Sequence, residues 1–299
     1  MWLSLAFASA ALLGLYDAAK KKALTGNAVL PVLLLNTFFC SLFFLPAILS
    51  AECGFGWFDG TVLESSCGTL RAHGLVVLKS AIVLTSWIFG YFGMKHLPLT
   101  IVGPINATRP VLVLLGALLI FGERLNLYQW IGVLFAIASF YLLSSSGKKE
   151  GINFAHNKWI FLTVISILTG AASGLYDKHL MRGLDVMTVQ VWFNIYQCAI
   201  MAAILLFLWY PTRKRTTPFE WRWNIIFISV FLCVADWVYF YALTFPDSMI
   251  SIVSMVRRSN VLVTFVAGAL FFHEKNLKNK AIDLILVLIG MIFLFLGSK

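Results

Sequence analysis

The chain has 299 residues, 60% of them hydrophobic and only 12% charged, with a formal net charge of +10 and a mean hydropathy of +0.88. The charged share is about half that of a soluble domain, and long unbroken apolar runs exclude both a water-soluble fold and the alternating pattern of a transmembrane β-barrel. The basic excess falls in short loops, as expected of a membrane protein, and no patch combines it with the aromatic platforms that nucleic-acid binding requires.

Ten apolar runs are long enough to cross the ~30 Å hydrocarbon core as helices, for which about 20 residues suffice. In chain order they cover about 2–19, 29–49, 74–94, 98–122, 126–145, 158–177, 186–210, 224–245, 248–272 and 279–297. The expected fold is an all-α integral membrane protein with ten transmembrane helices. The first run, MWLSLAFASAALLGLYD, has no basic leader and passes straight into Lys20, Lys21 and Lys22, so it reads as a membrane helix rather than a cleaved signal. Most connections are short. Ser50 to Gly74 and Pro211 to Trp223 are longer, and Gly147 to Asn157 is the natural midpoint linker. The chain divides into a first five-helix unit, 1–146, the linker, 147–157, and a second five-helix unit, 158–299.

An internal repeat supports that division. Gly14-Leu15-Tyr16-Asp17 recurs as Gly174-Leu175-Tyr176-Asp177, and LNTFFC from Leu35 aligns with FNIYQC from Phe193. Trp87 corresponds within one residue to Trp237, and TRPVLVLLGALLIFGE, ending at Glu123, aligns without a gap with SNVLVTFVAGALFFHE, ending at Glu274. Five spans per unit is an odd number, so the two halves are expected to lie inverted in the membrane. Secondary transporters have this architecture, with a substrate site near the midplane.

Loop charge sets the expected orientation. The face bearing the N-terminus carries five basic residues, Arg71, Arg124, Lys178, Arg182 and Lys299, and the opposite face carries fourteen. Lys79, Arg109, Arg257 and Arg258 lie within spans and complete the 23. The richer face is expected in the cytoplasm, with both termini on the other side of a plasma membrane, or of the inner membrane in a Gram-negative cell. Cys53 and Cys67 share the long outward loop. They are either a disulfide closing it on an oxidising face or two free thiols.

The polar residues at depth are the candidate site. Arg257 and Arg258 sit near the middle of the ninth span, Arg109 near the middle of the fourth, and Asp236 beside Trp237 in the eighth. A guanidinium at that depth costs roughly 2.5–3.5 kcal/mol on insertion scales, so it needs an anion or a wet cavity. Pro104 and Pro110 bracket Asn106 and Arg109 and are expected to bend the fourth span. Lys79 lies in the third span near Trp87, and Gln190, Asn194 and Gln197 form a polar stripe on the seventh. In one role this group is a positively biased cavity that grips an anionic substrate. In the other, Asp236 and an arginine only clamp helices together. Adjacent helical residues differ by ~100° in direction, so one of Arg257 and Arg258 is expected at the cavity and the other in an inter-helix bridge. Asp17 and Asp177 are gate candidates or simple interfacial caps. Asp236 is the first candidate for proton coupling. The histidines show no metal-ligand spacing, and there is no Gly-rich phosphate loop or nucleophile elbow, so no enzyme activity, metal or cofactor is expected.

At VLVLLGALLIFGERLNLYQWIGVLFAIASFYLL the chain resembles the EamA-type members of the drug/metabolite transporter superfamily, in which a small-residue-rich helix ends in Gly-Glu, here Gly122-Glu123, and another apolar helix follows at once. The second copy keeps Glu274 but has His273 in place of the glycine. The resemblance implies a ten-helix inverted-repeat carrier of metabolites, with a central cavity built largely by the first, third and fourth helices of each unit. That places Lys79, Arg109, Asp236, Arg257 and Arg258 in or beside the cavity. Ten-helix relatives usually keep both termini in the cytoplasm, whereas the loop charges here argue the opposite. The expected function is alternating-access transport of a small metabolite bearing an anionic group, such as an amino acid or organic acid. The alternatives are a channel or a non-transporting membrane scaffold.

Overall fold

Among the described residues, eight helical spans are long and apolar enough to cross a membrane by length and composition, one of them, Leu99–Ile120, interrupted at Thr108, and Asn224–Tyr239 is a shorter apolar stretch. The computed structural model describes residues 2–58, 60–61, 64–66, 68–121, 125–148, 152–180, 183–243, 245, 253 and 256–297, among which every regular element is helical. In chain order these are α1 (Trp2–Leu24), α2 (Val29–Glu52), α3 (Leu70–His96), α4 (Leu99–Ala107), α5 (Arg109–Phe121), α6 (Leu127–Lys148), α7 (Lys158–Leu180), α8 (Val186–Ile204), α9 (Asn224–Leu243), α10 (Asn260–Phe271) and α11 (Leu277–Leu296). A wider π-turn, Leu205–Trp209, continues α8 towards Pro211. Of the expected ninth span, the description covers Val253, a turn at Val256–Arg258, and α10.

Local chemistry sets the helix ends. Thr69 Oγ1 accepts from the Ala72 N–H at 3.2 Å, an Asn157 side-chain oxygen from the Trp159 N–H at 2.9 Å, and the Asp185 carboxylate from the Thr188 N–H at 2.8 Å. These bonds satisfy amides that a helix start leaves open. Pro98, before α4, has no side-chain acceptor, and its cap comes from far along the chain. The Glu274 carboxylate accepts from the Leu99 N–H at 2.5 Å and the Thr100 N–H at 2.8 Å, and also from the Thr100 hydroxyl.

The fourth expected span is broken at Thr108. Pro110 has no N–H to return to the carbonyl of Asn106, and its ring crowds that carbonyl. The break is closed tightly instead: the Thr108 N–H and hydroxyl donate to the Ile105 carbonyl at 3.1 and 2.7 Å. The second half repeats the device. The Ser259 N–H and hydroxyl donate to the Val256 carbonyl at 3.0 and 2.6 Å, immediately before α10. Thr108 and Ser259 fall on the same position when Glu123 is aligned on Glu274.

Close packing rests on small residues, because apolar area alone does not favour one helix partner over another in lipid. Ser86 and Ser166 exchange hydroxyl-to-carbonyl bonds of 2.6 and 2.7 Å between α3 and α7. Ser9 of α1 donates to the Ala235 carbonyl of α9 at 2.8 Å. Between α6 and α11, a Cβ added at Gly132 would lie 2.8 Å from the Gly290 carbonyl oxygen, so the two backbones meet directly. The principal packing partners come in matched sets: α1 with α9 and α7 with α3, α1 with α10 and α7 with α5, α3 with α8 and α9 with α2. The pairs α2–α8, α6–α11 and α4–α10 complete the set.

The turns sort into two bonded groups. Lys21 Nζ donates to the carbonyls of Met94 and Leu97 at 2.7 and 2.6 Å, Lys95 reaches Thr217 at 2.9 Å, and Asn27 bonds both backbone groups of Glu220. Elsewhere Ser66 is bonded to Thr188, and Tyr176 to the Leu75 carbonyl. The α1–α2, α3–α4 and 211–223 connections therefore share one end of the bundle. The α2–α3 loop meets the start of α8.

Candidate functional site

A cavity of about 230 Å³ is lined by α1, α3, α4, α5, α7, α10 and the turn before α10. Most of its chemistry is polar. From α1 come Tyr16, Asp17 and Lys20; from α3, Ser86, Trp87, Gly90, Tyr91 and Met94; from α7, Ser166. Asn106 and Arg109 flank the break at Thr108, and Arg258 and Asn260 flank the matching break at Ser259. The two interrupted helices thus present one arginine and one asparagine each. A larger cavity of about 380 Å³ between α5, α6 and α7 is lined almost wholly by aliphatic and aromatic side chains and carries no charged group.

Asp17 is held by three donors. Lys20 Nζ lies 2.9 Å from Oδ1, while Thr264 Oγ1 and Asn260 Nδ2 lie 3.1 and 3.4 Å from Oδ2. Lys20, only 8% exposed, also sits over the rings of Tyr16 and Tyr91 at 4.2 and 5.2 Å. This pair is a self-contained neutral unit. Neither cavity arginine has a hydrogen-bond acceptor or an ion-pair partner among the described residues. Arg109 Nε is buried and unbonded, and its guanidinium lies against the bare backbone of α7, where a Cβ at Gly170 would sit 2.5 Å from Cζ. Arg258 is exposed, although it belongs to the middle of an expected span.

The expected site residues separate into distinct places. Arg109, Arg258, Asn106, Trp87 and Asp17 line the cavity. Asp236 and Arg257 pair with each other, and Arg257 lies over the Tyr239 ring at 4.5 Å. Adjacent positions account for the split, since a helix turns ~100° per residue. Trp237 is not on the cavity. The turn that aims Asp236 at Arg257 leaves Trp237 41% exposed and stacked on Tyr241. Lys79 is bound to Asp177 at 2.9 Å, with Phe193 below it at 5.1 Å. Asn194 faces α2, bonding the Gln190 carbonyl at 2.8 Å while its own carbonyl accepts from Ser41 at 2.8 Å. Asp17 does not end its helix, because α1 runs on to Leu24. Cys53 is exposed, and Cys67 lies outside the described residues, as do Gly122 and Glu123.

Several lining residues carried no sequence signal of their own. Ser166, Gly90 and Met94 are ordinary residues of apolar helices until α3 is set against α7. Asn260 is the exception. It aligns with Arg109, and that correspondence marks it.

Comparison with known proteins places this geometry in a family. The description "EamA-like transporter family" fits residues 1–145 and 157–296. The chain is 23% identical over 231 residues to the uncharacterized transporter YvbV of Bacillus subtilis (strain 168), covering 75% of this chain and 72% of the relative. It is also 23% identical over 267 residues to an uncharacterized transporter of Archaeoglobus fulgidus, covering 87% and 86%. One crystal structure of a protein matches with a TM-score of 0.62 at 15% identity, over 99% of this chain and 96% of that one, a likeness of fold.

Proposed function

The chain belongs to the EamA-like transporter family, and we propose that it is a ten-span secondary transporter that carries a small anionic metabolite by alternating access between two inverted halves. It is a multi-pass membrane protein, and the plasma membrane is the proposed location. Two features support the inverted arrangement, matched packing partners and the two helix breaks in register, and the odd number of spans per unit expected from the sequence agrees with it. A site between such halves belongs where helices are interrupted, and both breaks open on the cavity.

The observation that carries the substrate reading is the pair of cavity guanidiniums, Arg109 and Arg258, without acceptors among the described residues. A guanidinium without a partner at membrane depth is costly, and a bound anion removes the cost through charge-assisted, bidentate bonds. Hydrogen bonds to charged groups contribute about 1.5–3 kcal/mol, so losing one guanidinium lowers affinity by about tenfold or more. The test is exchange of radiolabelled organic anions in proteoliposomes holding the wild type, Arg109→Gln or Arg258→Gln. Saturable exchange that falls at least tenfold in each variant supports the reading. Undiminished exchange in both removes the cationic site, and flux that never saturates points to a channel. Proton coupling is assigned to Asp236, whose carboxylate holds Arg257. A pH gradient that leaves the flux unchanged removes that assignment.

A further inference from the structure

We propose that this cavity selects a dianion, a small dicarboxylate or phosphate monoester, over monoanions and over zwitterions such as amino acids. The inference rests on the transport reading and adds the charge of the substrate. Among the described residues, four charged side chains line the cavity: Asp17, Lys20, Arg109 and Arg258. Asp17 and Lys20 cancel. The carboxylate is already bonded to Lys20, Thr264 and Asn260, and Lys20 is buried between two aromatic rings. A substrate ammonium therefore has no free carboxylate to meet, and displacing Lys20 would strand a buried cation. Two positive charges remain, on Arg109 and Arg258.

Arg109 and Asn260 are the first residues of α5 and α10, so the breaks at Thr108 and Ser259 bring both to the cavity. A monoanion leaves one guanidinium uncompensated, and a zwitterion leaves the net charge of the site unchanged. A dianion neutralises it, with each planar fork able to hold one pair of oxygens. Asn106 and Tyr91 supply neutral polar groups for the rest of the molecule. At about 230 Å³ the cavity is smaller than the roughly 300–1,000 Å³ of drug-sized sites, so the substrate has few carbons.

Probes of one size separate charge from shape. Purified protein in nanodiscs at pH 7.5 is titrated calorimetrically with succinate, butyrate and 4-aminobutyrate, which share a four-carbon skeleton. Glycerol 3-phosphate is set against glycerol, the phosphate carrying a charge of about −1.5 to −2 at neutral pH. Succinate or glycerol 3-phosphate should bind at least tenfold tighter than butyrate, and 4-aminobutyrate no tighter than butyrate. Either dianion leading supports the proposal, and their order tells carboxylate from phosphate. Arg258→Gln should bring the preferred dianion to the level of butyrate. Gly170→Ala keeps every charge but drives a methyl group into Arg109, and should weaken the dianion by about tenfold while affecting glycerol little. If butyrate or 4-aminobutyrate binds as tightly as both dianions, the transporter reading stands and the dianion assignment is overturned. If no probe binds and proteoliposomes made from the same preparation exchange none of them, the anion-transport reading falls, and this inference with it.

Discussion

Arg257 and Arg258 are neighbours with different work, and the difference is testable one residue at a time. Arg258 is open to the cavity, whereas Arg257 is spent on Asp236, with side-chain exposures of 21% and 17% for the pair. Breaking a fully buried pair costs about 3–5 kcal/mol and an exposed one 0–1. This partly exposed pair should lie between, and Asp236→Asn is expected to cost about 2 kcal/mol of stability in detergent unfolding. Removing both partners, as in Asp236→Asn with Arg257→Gln, should recover at least half of the summed single losses, because no charge is then left alone. Strictly additive losses would show that the ion pair contributes no coupling. The sequence made the split between the two arginines legible through helical geometry. Their assignment was not legible, because it depends on where α9 presents Asp236.

The fourth helix of each unit shows what proline does and does not announce. In the first unit Pro104 and Pro110 were both expected to bend the span, but Pro104 lies within the intact α4 and the break falls at Thr108, ahead of Pro110. In the second unit valine stands at the matching position, Val261, yet the chain breaks at Ser259 through the same hydroxyl-to-carbonyl bond. No local signal marked that break. The other end of this helix explains the departure from Gly-Glu. His273 follows the last turn of α10 with φ 49°, a left-handed conformation in which glycine avoids a Cβ cost of roughly 1–2 kcal/mol. His273→Gly is therefore expected to stabilise the protein by about 1 kcal/mol in equilibrium unfolding, and a destabilised variant would mean the imidazole contributes more than the strain. Beside it, Glu274 caps α4 from another part of the chain. Glu274→Ala leaves the Leu99 and Thr100 amides without their acceptor and should cost about 2 kcal/mol, with Glu274→Gln recovering part of it. The glutamate was visible as a motif. Its partner was not, since nothing in a linear pattern says which helix start it will meet.

At the scale of the molecule, the sequence shows the two units and their boundary, because apolar periodicity and the repeat survive in one dimension. It does not show that α1 packs on α9 and α7 on α3. Stripes of Ala, Ser and Gly mark a helix as close-packing without naming the partner. The proposed inversion has a consequence that packing alone does not supply, namely which end of the bundle faces the cytoplasm. The α1–α2, α3–α4 and 211–223 connections are bonded to one another, and they and the helix ends entering them carry Lys21, Lys22, Lys95, Arg213, Lys214, Arg215 and Arg222. That end should be cytoplasmic under the positive-inside rule. Cys53 is exposed on the loop between α2 and α3, whereas Cys40 and Cys233 are buried. In a Cys67→Ser background, a membrane-impermeant maleimide added to intact cells should label Cys53 at once. A cysteine introduced by Lys214→Cys on a Cys53→Ser, Cys67→Ser background should react only after the cells are opened. In the otherwise unchanged chain, labelling of Cys53 that appears only after a reductant would add the Cys53–Cys67 disulfide to the outward loop. The reverse pattern, with position 214 labelled from outside and Cys53 protected until lysis, would turn the molecule over and put both termini in the cytoplasm.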